Sequence, residues 1–155
     1  SNGFPHIALN IGKDLGRNTG GPKQTHYFQW NGETWSAATP VDIVSNQKNT
    51  DTRGDFFIDK ASGDVTFLLG YQDGKDGVIG TFTNDGKHQS FVKKQELLRR
   101  PSATWALTAK IGDAHPDARI IVAEKVRGQQ WHNMYLLGDN GAIIRPMSEL
   151  APLNK

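Results

Sequence analysis

Trp30-Asn31-Gly32-Glu33, Asn84-Asp85-Gly86-Lys87 and Asp139-Asn140-Gly141-Ala142 are three versions of one turn, and their spacing decides the fold. Asn31 and Asp85 are 54 residues apart, and Asp85 and Asn140 are 55 apart. Asn-Gly and Asp-Gly pairs adopt the left-handed backbone that a two-residue type I′ turn needs, so each pair predicts a β-hairpin. The strands ahead of the turns are Thr25–Trp30, Gly77–Thr83 and His132–Gly138; those behind begin near Glu33, Lys87 and Ala142.

The register holds further out. Pro5–Ile11, Asp64–Tyr71 and Ala118–Val126 are β-branched or aromatic runs upstream of the hairpins. Two of them are preceded by one more strand: Asp55–Asp59 with the turn Ala61-Ser62-Gly63, and Thr104–Ile111 with the turn Gly112–Asp117. Lys93–Arg100 has enough Leu, Glu and Lys for two helical turns, yet Pro101 follows and the segment falls where an outer strand belongs, so it is assigned to an edge strand. Three, four and four strands make eleven. Antiparallel units of four strands at this period describe β-propeller blades. The expected fold is therefore all-β: a partial blade over 4–45, a second over 53–99 and a third over 103–150, in one propeller segment spanning 1–155. Three blades do not close a ring, so the expectation includes either further blades from a longer parent chain or assembly of identical chains. A two-sheet sandwich, which also uses regular short strands, is the alternative.

Composition narrows the function. The chain has 155 residues, 18 Lys plus Arg against 16 Asp plus Glu, and a formal charge of +2. That balance does not suit a dedicated nucleic-acid binder, whose basic surplus is large and clustered. No apolar run reaches the roughly 20 residues of a helical membrane span. With no cysteine there is no zinc-thiolate site and no Cys nucleophile. Gln72-Asp73-Gly74-Lys75-Asp76-Gly77 lacks the downstream Glu of a calcium loop, and Gly20-Gly21 lacks the Gly-Lys-Ser/Thr ending of a phosphate loop. No cofactor and no metal are expected.

Several stretches resemble a known family. His26-Tyr27-Phe28-Gln29-Trp30-Asn31-Gly32-Glu33-Thr34-Trp35 resembles the strand, turn and Trp of BNR-type (sialidase-like) propeller repeats. Arg53-Gly54-Asp55-Phe56-Phe57-Ile58-Asp59-Lys60-Ala61-Ser62-Gly63 is similar to the inner strand and first turn of the BNR-4 subgroup. Thr83-Asn84-Asp85-Gly86-Lys87 with Phe91 resembles a degenerate Asp-box, its glycine one position early and Phe in place of Trp. The resemblance implies an extracellular or periplasmic protein acting on glycans, as a sialidase, a uronate-cleaving lyase or a sugar-binding propeller. Neither the Arg-Ile-Pro motif nor the Tyr/Glu nucleophile pair of sialidases has a match, which leaves an acidic-polysaccharide lyase or glycosidase as the leading expectation. A non-catalytic, lectin-like propeller is the alternative.

Blade geometry places the loops that receive a ligand. The second-to-third loops and the blade-to-blade links share one face, and they carry nine cationic residues, Arg17, Arg53, Arg99 and Arg127 among them, against four Asp. The Arg guanidinium fork matches a carboxylate bidentately, so this face suits an anionic glycan. Tyr71, Trp105 and Trp131 begin or end strands near the same rim and offer flat faces to sugar C–H surfaces. A lyase needs a base for the proton alpha to the uronate carboxylate and a cation for the enolate-like intermediate. His26 and Tyr27 with Arg53 are the expected catalytic set; Arg17, Tyr71, Arg99, Trp105, Arg127, Trp131 and His132 are the expected substrate contacts. Asp55 and Asp59 lie four apart on one strand, roughly 13 Å, beyond the ~5–9.5 Å of a glycosidase pair.

Overall fold

The computed structural model describes residues 3–14, 20–45, 52–84 and 90–146, and within them the regular structure is all β with no helix. Eleven strands run β1 (His6–Asp14), β2 (Gly20–Gln29), β3 (Thr39–Ser45), β4 (Arg53–Ile58), β5 (Val65–Asp73), β6 (Asp76–Thr83), β7 (Val92–Pro101), β8 (Trp105–Lys110), β9 (Ile120–Lys125), β10 (His132–Leu137) and β11 (Ile143–Pro146). They form three separate antiparallel sheets, β1-β2-β3, β4-β5-β6-β7 and β8-β9-β10-β11. The expected count of three, four and four holds, and Lys93–Arg100 lies within the outer strand β7.

The middle sheet is buried on both faces, and β5 shows why its sequence reads as one continuous apolar run. Successive side chains of a strand point to opposite faces. Val65, Phe67, Leu69 and Tyr71 join Tyr27, Val41, Val78, Phe82 and Phe91 in a core against the first sheet. Leu68 points the other way, into a core with Ile79, Trp105, Ile120, Val122, Tyr135 and Leu137 of the middle and third sheets. Full burial of each such side chain stabilises by about 1.5–3 kcal/mol. The first core is aromatic: Tyr27 meets Phe67 and Phe91 edge-on at centroid distances of 6.1 and 5.6 Å, and Phe56 stacks on Phe67 at 5.3 Å. Close backbone approach matters in the second. A Cβ at Gly70 would stand 2.9 Å from Thr108 Oγ1 and 3.0 Å from Trp105, and one at Gly77 would stand 2.5 Å from the Ala103 carbonyl oxygen.

The turns differ from the expected type I′ pairs. At Asn140-Gly141 only Gly141 has a positive φ, of 79°, and Gly138 N–H donates to Ala142 O at 3.1 Å. This is a tight turn followed by one left-handed glycine, the bulged form of hairpin connection, and the ladder shifts register between Leu136 and Leu137 to match. At Asn31-Gly32 the side chain builds the turn: Asn31 Oδ1 accepts from the backbone N–H of Glu33 and Thr34 at 2.9 and 2.8 Å. Trp30 pairs with Trp35, and β3 begins only at Thr39 rather than near Glu33. Asp85-Gly86 lies outside the described residues, and β7 begins at Val92 rather than near Lys87. The link from β7 to β8 bends at Ser102, which has φ 57° and donates its N–H to Lys75 O at 3.0 Å.

Candidate functional site

The ends of the sheets divide into two sets. One end carries the β5–β6 turn, the β7–β8 link and the β9–β10 loop, and this is the end to which the sequence assigns the ligand. The opposite end carries the β4–β5, β8–β9 and β10–β11 turns.

The structure does not bring His26, Tyr27 and Arg53 together. His26 sits mid-strand in β2, opposite Leu9, rather than at the start of a strand. Alternation then sends it to the face of the first sheet that turns away from β4–β7. Tyr27 points the other way and is wholly buried in the first core, where its hydroxyl is hydrogen-bonded to His6 Nδ1. Burial pushes its phenol up to about 12. Arg53 opens β4 and reaches toward the third sheet, donating from Nη1 to Ala106 O at 3.5 Å. His26 Nδ1 lies 3.1 Å from Gln24 O, and since a carbonyl only accepts, Nδ1 is the donor in this contact, which leaves Nε2 for other partners.

The substrate contacts also separate. Arg17 lies outside the described residues. Arg99 is enclosed by carboxylates: Nε donates to Glu96 Oε1 at 2.7 Å, Nη2 to Asp73 Oδ2 at 2.8 Å and Nη1 to Asp76 Oδ2 at 3.2 Å. Three acids already match its fork, so it clamps the β5–β6 turn to β7 rather than offering a charge to a ligand. Tyr71 is buried edge-on against Phe82 at 5.9 Å with Lys93 Nζ over its ring. Trp105 is a core residue, edge-on to Tyr135 at 6.4 Å. Arg127, Trp131 and His132 are exposed in and beside the β9–β10 loop, with Trp131 60% accessible. These three keep both their exposure and the expected end of the sheets; Arg99 does too, but its fork is already taken by carboxylates.

Two groupings were invisible in the sequence. Between the first and second sheets lies a cleft of about 100 Å³ lined by Asn10, Thr25, Thr52, Gly54 and Asp55 over Phe67. Asn10 Nδ2 donates to Thr52 O at 3.1 Å, while the hydroxyls of Thr25 and Thr52 are buried with no hydrogen-bond partner among the described residues. At the upper rim between the second and third sheets, Tyr135 donates to Glu124, Arg100 Nε stands 3.7 Å from the same carboxylate, and the Arg100 guanidinium lies 5.5 Å over the Tyr135 ring. Burial, then Glu124, raises the Tyr135 phenol to about 12. The pairing of β9 with β10, which sets Asn133 opposite Glu124, brings Glu124 near Tyr135, and the packing of the middle sheet on the third brings Arg100 to both.

No family model matches the chain. The proteins it resembles are polysaccharide lyases. It is 38% identical over 148 residues to the PL25 ulvan lyase of Pseudoalteromonas sp. (strain PLSV), covering 96% of this chain and 29% of that protein. It is 36% identical to the ulvan lyase of Alteromonas sp. (strain LOR), covering 96% of this chain and 30% of the relative. The solved structure of a PL25 ulvan lyase superposes with a TM-score of 0.75 at 34% identity, over 92% of this chain and 31% of that one. The same likeness holds for a structure of the enzyme bound to -[GlcA(1-4)Rha3S]-. The chain thus spans about three tenths of the length of the curated relatives it matches. These relatives are named as ulvan lyases, and their names say nothing of BNR repeats in either direction.

Proposed function

We propose that this chain forms three consecutive blades of a β-propeller lyase that cleaves an acidic polysaccharide of the ulvan type. The observation that carries the reading is the similarity, over 96% of the chain, to ulvan lyases. Three consecutive antiparallel sheets, with β4 lying beside β8, support the propeller architecture. Lyases of this kind eliminate across C4–C5 of the uronate: a base removes the C5 proton alpha to the carboxylate, the C–H pair forms the C4=C5 double bond, and the C4–O bond breaks with its pair leaving on the glycosidic oxygen, which takes up a proton from an acid or water. His26 Nε2 is the base in this proposal, with its tautomer set by Gln24 O. Trp131 stacks on a sugar face, and Arg127 and His132 attract anionic groups, at the β9–β10 loop of the third sheet, where a polymeric chain would be held apart from His26 on the first sheet. A polymeric substrate does not enter a cell intact, so the reading includes an extracellular or periplasmic location.

The test uses the longest protein that carries this chain, incubated with ulvan and followed by the ultraviolet absorbance of unsaturated uronate. Product formation is expected, and His26→Gln is expected to lower kcat by about 100-fold or more, the scale of a lost general base. Binding of ulvan without product would replace the enzyme reading with the lectin-like one, for which the exposed Trp131 beside Arg127 is the supporting observation.

A further inference from the structure

A second cleft opens at the opposite end of the molecule, between the middle and third sheets. Its volume is about 250 Å³, and Phe57, Thr66, Thr81, Gln95, Lys110, Arg119 and Asp139 line it. Ligand-sized pockets run about 300–1,000 Å³, so this one has room for a single substituted sugar ring rather than an oligosaccharide. Its ionisable lining is two cations and one carboxylate, a surplus of +1.

The cations are fixed in place. Arg119 Nε donates to Asp139 Oδ1 at 2.8 Å, and its Nη2 donates to Oδ2. Lys110 Nζ lies 3.3 Å from Asp139 Oδ1 and 3.6 Å from the centroid of the Phe57 ring. The Lys110 side chain is only 9% exposed. Burial, and then the neighbouring Arg119, lowers the ammonium below its ordinary range, against the pull of Asp139. One carboxylate is thus shared by two cations. Arg119 meets Asp139 through Nε and Nη2, which leaves Nη1 outside this bidentate pair. Two cations gathered against one carboxylate in a partly buried cleft are costly unless a second anion meets them. Gln95 and Thr81 add polar atoms on the middle-sheet wall.

We propose that this cleft is an oxyanion site that takes the sulfate ester or carboxylate of one sugar residue of an anionic glycan, away from the end of the sheets where Arg127 and Trp131 lie. The anion completes the Lys110–Arg119–Asp139 cluster by accepting from Arg119 Nη1 and Lys110 Nζ. The ligand class rests on the acidic-glycan reading, while the site itself rests on the geometry of the cluster.

The test titrates the protein with a glucuronate–rhamnose-3-sulfate oligosaccharide and, separately, with inorganic sulfate, reading backbone amide shifts by NMR. Shifts centred on Phe57, Lys110, Arg119 and Asp139 are expected. Lys110→Met, which keeps the stem length and removes the charge, is expected to weaken binding at this cleft at least tenfold, whereas Trp131→Ala leaves it unchanged. Arg119→Lys, which keeps the charge but loses the fork, serves as the second variant, with an intermediate loss expected. If inorganic sulfate binds and the oligosaccharide does not, the glycan assignment falls. No shifts at the cleft with either probe, or undiminished binding in both variants, overturns the site. Lyase product from the parent protein alongside either negative result leaves the proposed activity standing and removes this inference alone.

Discussion

Tyr27 and Tyr135 are both phenols that burial holds near 12, so both stay protonated at neutral pH rather than acting as bases; Tyr135 donates to Glu124, and Tyr27 is hydrogen-bonded to His6 Nδ1. Tyr27→Phe is therefore expected to cost about 1 kcal/mol, the net scale of one hydrogen bond, while leaving the lyase activity proposed for the parent protein within a few-fold of its level without the substitution. Urea unfolding and the unsaturated-product assay measure the two effects separately. The sequence placed Tyr27 beside His26 in the chain, and strand alternation alone told that they face opposite ways. It did not tell which face is core, because that depends on Phe56, Phe67 and Phe91 arriving from another sheet. Arg99 illustrates the same gap: as a cation near a loop it reads as a ligand contact, and only the fold brings Asp73 and Asp76 to it.

Strand β7 is held to its neighbours by charge as well as by its ladder. Donation first from Arg99 and then from Lys93 lowers Glu96 from 4.5 to about 2. A carboxyl whose folded value lies below its unfolded one contributes stability that is fully present above about 4.5 and is lost as pH falls through about 2. Glu96→Gln is expected to flatten the acid side of the stability profile across that window, read by thermal unfolding at a series of pH values. A steric prediction concerns β6. Gly77→Ala would drive a Cβ to 2.5 Å from the Ala103 carbonyl oxygen, a backbone atom that cannot step aside cheaply. A loss of about 1–3 kcal/mol is expected, in the range of overpacked cores, as a lower urea midpoint with little change in slope. The strands themselves were legible because each is bounded by turn residues and filled with β-branched or aromatic side chains. The turn types were not, since Asn140 avoids the left-handed region and Gly141 alone adopts it.

Across the whole molecule, neighbouring residues of β5 serve different interfaces. Phe67 is buried toward the first sheet and Leu68 toward the third. Phe67→Ala is expected to cost about 3–5 kcal/mol and Leu68→Ala about 2–5 kcal/mol. If the three sheets unfold as a unit, either substitution shifts one transition seen equally by Trp30 and Trp35 in the first sheet and by Trp105 in the third. Separate transitions would show that the sheets are independent. Leu9, exposed on the outer face of β1, provides the contrast: Leu9→Lys is expected to change stability by less than about 0.5 kcal/mol. The three-sheet plan was readable from a repeat of 54 to 55 residues. The clefts were not, because each is lined from two sheets whose residues lie tens of positions apart.

Ser102 gives the arrangement of sheets a mechanical reading. Its left-handed backbone, its bond to Lys75 O and the 2.6 Å donation from Gln72 Nε2 to Ala103 O tie the β7–β8 link to the β5–β6 turn of the preceding sheet. The link works as a fixed hinge plate, setting the angular step from one sheet to the next. Adding or removing a residue between Pro101 and Thr104 would be felt as a rotation of everything downstream, carrying Trp131 along and drawing Lys110, Arg119 and Asp139 away from the middle-sheet wall of their cleft.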